Sequence, residues 1–336
     1  MTDDTPDNVR SIRGWRTPVR DDRVMRFAVE SWAPDFGAQS EGAGMDASDA
    51  MVDIAIERPP DQWAPLDPAE RGAERAGSVL FIDGVQRIDA RVWVTGDDEV
   101  ARLGVCASWA AGAVLCNGTA QVVAAEMRRG VLSPAPDLDA IVTRHGGYEP
   151  LAIKENGGAA VNEALGRKRG DLEARVAVEV SGRSPADLVV VDGPLGDRRH
   201  IPCALGYIKA HHVTYLPPAQ QAVLGQLGPG ERTPLFRIGD KRFRYSWYLR
   251  LPGPMTHAVW GIVRCELAGE LALDEAVRLA DQATATLPRF ATRPHQDTRA
   301  PQNLHPIAGL ERELKHRLGD PGLMERALRR AAAGSK

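Results

Sequence analysis

The chain is poor in cysteine, has no long hydrophobic run and carries no excess of positive charge, and each shortage removes a class of function. Its four cysteines, Cys106, Cys116, Cys203 and Cys265, form no Cys-x-x-Cys pair and no zinc spacing. They lie among apolar residues and read as small buried hydrophobes of a reducing compartment. No apolar stretch approaches the length of a membrane span, and the opening residues are acidic and polar rather than those of a signal peptide, so a cytoplasmic protein with no membrane partner is expected. A formal net charge of −3 is not the footprint of a nucleic-acid binder, so any binding to DNA must come from cations segregated locally. What remains, 336 residues of which 43% are hydrophobic and 26% charged, suffices for one large globular domain with additions or for two small ones.

What is present is a short signature that occurs twice, an apolar run ending in Asp-Gly. The first copy is Val79-Leu80-Phe81-Ile82-Asp83-Gly84 and the second is Leu188-Val189-Val190-Val191-Asp192-Gly193-Pro194-Leu195. A run of aliphatic and β-branched residues predicts a strand buried on both faces, and the glycine lets the backbone turn where the strand stops. Each aspartate is therefore expected at a strand end, where ligands and metals gather, although Asp-Gly is also a common turn pair with no chemistry attached. No other internal repeat is present.

Between the copies, Arg87 to Val94 alternates and Ala101 to Trp109 is mostly apolar; they are expected as the second and third strands of an antiparallel meander turned at Gly84 and Gly96. From Val161 to Val180, Leu165, Leu172, Val176 and Val180 trace one helical face. The order predicts an α/β fold: a ribonuclease H-like core whose mixed sheet, three antiparallel strands and then parallel strands, is flanked by helices, with insertions and a helical C-terminus. That layout needs an acid on the helix. Glu173, beside Leu172 on the flank of the apolar stripe, is the leading candidate, with Glu163 and Glu179 as rivals.

The sequence resembles the NurA nucleases through Phe81-Ile82-Asp83-Gly84, Leu172-Glu173, Val191-Asp192-Gly193-Pro194-Leu195, Gly206-Tyr207-Ile208-Lys209, Trp247-Tyr248-Leu249-Arg250-Leu251 and Ile262-Val263-Arg264-Cys265-Glu266, in that order. The resemblance implies a metal-dependent DNA nuclease, expected to be a 5′-to-3′ exonuclease with single-strand endonuclease activity. It also implies a homodimer that works with a hexameric HerA-type ATPase in processing DNA ends. The family's metal ligands carry over onto Asp83, Glu173 and Asp192. The family's late histidine motif is only partly kept in Asn303 to His316: His316 is the candidate for a metal-proximal histidine, and His305, His295 and Asp297 compete with it. The alternatives are another ribonuclease H-fold nuclease, such as a junction resolvase or an RNA-cleaving relative, and a catalytically silent adaptor that docks and stimulates the ATPase.

Carboxylates are hard ligands suited to Mn²⁺ or Mg²⁺, and two such ions about 3.5 to 4 Å apart can activate a water and stabilise the leaving oxygen of a scissile phosphate. Lys209 is read as a contact to a DNA phosphate or to the charge developing in the transition state, or else as a surface lysine; Arg250 and Arg264 as phosphate contacts or structural ion pairs. Of the neighbouring His211-His212 pair, one residue at most could face the site. Basic clusters at Arg167-Lys168-Arg169, Arg198-Arg199-His200 and Lys241-Arg242-Phe243-Arg244 suggest a groove that tracks phosphates.

Residues 1–75 are expected to form an N-terminal extension that packs on the core or docks a partner, with an amphipathic helix at Asp21 to Trp32 and a strand at Val52 to Ile56. Residues 76–336 are expected to form the nuclease domain, with residues 115–160 inserted as loops and short helices. A hairpin turned at Gly239-Asp240, a strand at Val259 to Leu267 and helices at Leu273 to Leu287, Leu310 to Leu318 and Leu323 to Ala332 complete the reading.

Overall fold

The computed structural model describes residues 46–47, 50–95, 99–136, 138–154, 158–209, 213–239, 243–255 and 259–334. Two short strands, β1 (Asp46–Ala47) and β2 (Val52–Asp53), precede three long ones, β3 (Val79–Thr95), β4 (Ala101–Cys116) and β5 (Ala120–Ser133). Then come β6 (Ile141–Thr143), β7 (Gly146–Ala152), helix α1 (Gly158–Arg183), β8 (Leu188–Asp192), β9 (Ala204–Ile208), β10 (Val213–Thr214) and α2 (Pro218–Leu224). The chain closes with β11 (Phe236–Ile238), β12 (Arg244–Arg250), β13 (Ile262–Ala268), α3 (Leu273–Thr286), α4 (His305–Arg317) and α5 (Pro321–Gly334).

Among the described residues, eleven strands form one mixed sheet in the order β2-β11-β12-β13-β9-β8-β3-β4-β5-β7-β6. At its centre β3, β4 and β5 run antiparallel, while β8 lies parallel to β3 and β9 parallel to β8. The sheet closes at each edge on a very short strand, β2 or β6. No helix among the described residues is long and apolar enough to cross a membrane.

Alternation along the strands splits the core into two layers. Leu80, Ile82 and Val189 face α1, whose Leu165, Leu172, Val176 and Val180 form the buried stripe read from the sequence. Val79, Phe81, Leu188 and Val190 point the other way, toward Leu279 of α3 and Ile307, Leu310 and Leu314 of α4. Burial of each such side chain contributes roughly 1.5 to 3 kcal/mol. The C-terminal end of α4 is tied to the sheet by Arg87, which donates to the carbonyls of Gly319 (2.7 Å) and Leu318 (3.2 Å); a cation there also meets the negative end of the helix.

Two expectations are corrected. Gly84 makes no turn: β3 runs straight through it, and the segments Val79 to Ile82 and Arg87 to Val94 are one strand. The third antiparallel strand is β5, inside the region expected to be an insertion of loops and short helices, where β6 and β7 also lie, joined at Gly146 with its positive φ of 120°. Of the two alternatives for the N-terminal stretch, residues 50–75 pack on the core: β2 pairs with β11, and Trp63 sits against Phe236. The helix expected at Asp21 to Trp32 lies outside the described residues.

A buried ion network fastens that N-terminal stretch. Arg232, fully buried, donates Nε to Asp281 (2.7 Å) and both terminal nitrogens to the Glu57 carboxylate (2.8 and 2.7 Å). Arg71 bridges the same two acids from the half-buried side. Burial raises the Glu57 pKa, but Arg232, the Leu235 amide and Arg71 outweigh it and hold the carboxyl below the usual range.

Candidate functional site

Strand parity decides which face each acid occupies. Asp83 follows Phe81, and Asp192 follows Val190, onto the face covered by α4, and the parallel register that pairs Ile82 with Val191 brings the two aspartates to neighbouring positions. Glu311, buried on α4, completes a cluster in which each carboxylate offers an oxygen within 4.8 Å of the others. The Asp83 residue is 7% exposed and the Asp192 side chain 15%, so the cluster opens toward solvent on the Asp192 side.

A chain of polar contacts surrounds these acids. Lys209, one residue past β9, places Nζ 2.6 Å from Asp192 Oδ2 and 3.0 Å from Asn303 Oδ1. Asn303, fully buried, donates through Nδ2 to Asp297 (2.7 Å). Arg299 grips Glu311 with two parallel hydrogen bonds of 2.9 and 2.7 Å and also reaches Asp297 (3.4 Å).

The environments push the acids apart in pKa. Burial, then the Asp192 charge, raise the Asp83 carboxyl well above the ordinary range against the pull of Lys209, with Glu311 and Glu173 adding to the rise. Burial also acts on Glu311, but Arg299, Lys209 and Lys315 outweigh it and hold its pKa low. Asp83 is thus the strained member of the cluster.

Glu173 sits on the opposite, α1-facing side of the sheet, and Gly84 is what admits it: a Cβ at that position would clash with Glu173 Oε1. Its carboxylate is engaged by Arg198 and by Arg169 (3.1 Å). Burial raises its pKa against these two arginines. The rivals Glu163 and Glu179 are exposed and pair with Arg167 and Arg183.

Other expectations move. His316 is exposed on the last turn of α4, outside the cluster, because the face that α4 turns to the sheet carries Ile307, Leu310, Glu311 and Leu314. His295 is exposed; His305 lines a groove with Arg289 and Phe290; Asp297 alone of the four joins the site, in the layer behind Lys209 and Glu311. Arg250, 2% exposed, donates to the carbonyls of Trp260 and Leu224, and Arg264 is buried between Glu266 (3.0 Å) and the Tyr215 ring. A guanidinium inside the core cannot meet a phosphate, so both are structural. Arg198 and Arg244 are likewise spent on Glu173 and Glu266, whereas Arg167 and Lys168 stay exposed. Lys241, Arg242, His211 and His212 lie outside the described residues.

Glu311, Asn303 and Arg299 were missed by the sequence reading. Glu311 had a signal, a glutamate set between Leu310 and Leu314 of an apolar helical stripe. Asn303 and Arg299 lie in an irregular segment and had none.

No protein-family model matches the chain, and no curated protein matches it in sequence. Two solved structures of endonuclease V from Ciona intestinalis, each in complex with DNA containing an inosine followed by a ribo-adenosine, are loosely similar at 10% identity. One has a TM-score of 0.32 over 77% of this chain and 92% of that chain; the other, a point variant, has 0.30 over 73% and 92%. At such scores the likeness carries no weight for function, and the NurA resemblance stands on its sequence motifs alone.

Proposed function

We propose that the protein is a divalent-cation-dependent nuclease that hydrolyses phosphodiester bonds in DNA on a ribonuclease H-like core. The observation that carries this reading is the convergence of Asp83, Asp192 and Glu311 from β3, β8 and α4. The central order β5-β4-β3-β8-β9, with α1 between the third and fourth strands in sequence, supports the core assignment.

The donor set fits a hard cation. All three ligand groups are carboxylates, none is a thiolate or imidazole, and a buried Asp83 of raised pKa gains from positive charge. Bound there, Mn²⁺ or Mg²⁺ would supply charge for the scissile phosphate and acidify a water. The chain's own residues do the rest: Asp192 presents the open side of the cluster, Arg299 fixes the Glu311 carboxylate, and Asn303 aims the Lys209 ammonium. The sequence resemblance adds the finer reading of a NurA-like 5′-to-3′ exonuclease, a cytoplasmic homodimer working with a HerA-type ATPase.

The test is incubation of pure protein with end-labelled linear DNA and Mn²⁺ or Mg²⁺, beside Asp192→Ala and excess chelator. Degradation abolished by both controls is expected. No degradation, even with a cognate ATPase added, would favour the adaptor.

Cation binding also shows in stability. Asp83 holds its proton more tightly folded than unfolded, so its contribution to stability is full below the ordinary carboxylate range and is lost as pH rises through its elevated folded pKa. A divalent ion relieves this, so its stabilisation grows with pH. At a concentration 100-fold above Kd it reaches about 2.7 kcal/mol, a rise in melting temperature of roughly 4 °C. Melting curves across pH with and without Mg²⁺ check this; curves indifferent to the metal at every pH count against the site.

A further inference from the structure

The acids at the sheet's centre already meet one positive charge from within the chain. Lys209 Nζ lies 2.6 Å from Asp192, and the lysine side chain is only 8% exposed. Its other anchor, Asn303, is fully buried and is itself held by Asp297 at 2.7 Å. A mobile surface lysine has no such seat: the ammonium is fixed on a side chain that shares the pocket with the carboxylates.

We infer that Lys209 is a resident second cation, so that this site takes one divalent ion rather than two. The inference rests on the metal-dependent nuclease reading above. Charge decides it. With all three ionised as ligands of a cation, Asp83, Asp192 and Glu311 bring three negative charges and Lys209 one positive; Asp297 and Arg299 cancel behind them, and Lys315, 3.5 Å from Glu311, is largely exposed and screened by solvent. Two negative charges are left, which one divalent ion neutralises. Two such ions would leave an excess of two positive charges in a largely buried site, and burying uncompensated charge is strongly unfavourable.

Ligand supply agrees. Four carboxylate oxygens of the cluster already accept a hydrogen bond: Asp83 Oδ1 from the Gly84 amide, Asp192 Oδ2 from Lys209, and both Glu311 oxygens from Arg299. Glu173, the further acid that a second ion would recruit, lies across the sheet against Arg169 and Arg198. The ammonium thus takes the electrostatic part that a second ion plays in a paired-metal site, without an exchangeable ligand shell.

The experiment is equilibrium dialysis of the full chain against Mn²⁺, with bound metal counted by atomic spectrometry, for the native protein and for Lys209→Met. Expected are one manganese per native chain and, in Lys209→Met, either a second ion or a single ion held at least about tenfold more tightly, since a like charge a few ångström away is gone. Two ions on the native chain overturn the inference and leave the nuclease reading standing; so does Lys209→Met matching the native protein in both number and affinity. No manganese on the native chain overturns both. Lys209→Gln, which can still donate to Asp192, serves if Lys209→Met does not fold, and the native count is decisive by itself.

Discussion

Glu311→Gln is expected to lower metal-dependent DNA cleavage at least about a hundredfold, whereas His316→Ala leaves it within about twofold. The glutamine keeps the size of the side chain and its place on α4, and Arg299 retains Asp297. What is lost is one of three negative charges facing a cation. Removing even an outer partner of a metal ligand typically costs 10- to 100-fold, so removing a ligand's charge costs at least the upper figure, about 2.7 kcal/mol of barrier. The contrast with His316 separates the geometry from the family pattern, which would place a histidine on this helix. Single-turnover cleavage of end-labelled DNA at saturating metal measures both variants. A Glu311→Gln protein of near-native rate, or a His316→Ala protein as inactive as Asp192→Ala, would remove Glu311 from the site.

Arg232→Ala is expected to destabilise the fold by about 3 to 5 kcal/mol, because it leaves Glu57 and Asp281 in the interior with Arg71 as their one remaining cation among the described residues. Arg71 contacts both acids and softens the loss toward the lower figure. At this chain length the melting temperature should fall by roughly 4 to 7 °C. Because Arg232 ties the segment before β3 to α3, hydrogen exchange should rise first in residues 50–75 and only later around Asp83. Denaturant unfolding that shows a loss under about 1 kcal/mol would mean that Arg71 alone carries the network.

The two Asp-Gly pairs show how far the sequence could be read. At Asp192 the expected physics holds: β8 stops at the aspartate and Gly193 turns with a φ of 94°. At Asp83 the same dipeptide serves a different end, since Gly84 lies inside an unbroken strand and is small to let Glu173 approach the backbone. Nothing local distinguishes a glycine needed for its torsion from one needed for its missing Cβ. The stripe of α1 was legible because Leu165, Leu172, Val176 and Val180 recur at helical spacing. Strand β5 was not, because its alternation is broken by Ala124-Ala125 and Arg128-Arg129. For Arg250 and Arg264 the sequence left phosphate contact and structural ion pair both open, and only the burial of the strands that carry them shows that they brace the core.

The edges of the sheet bear on assembly. An eleven-stranded sheet that ended in long, flat strands would invite a second chain to continue it. Here the strands at the two ends of the order have two and three residues, β2 and β6, but β7 pairs with β5 only at Gly130 to Ser133, so the outer side of β5 from Ala120 to Arg129 meets no strand among the described residues. A second chain that continued the ladder would therefore find its longest run of backbone donors and acceptors on β5 rather than at β2 or β6, with only β4 between it and the strand that carries Asp83.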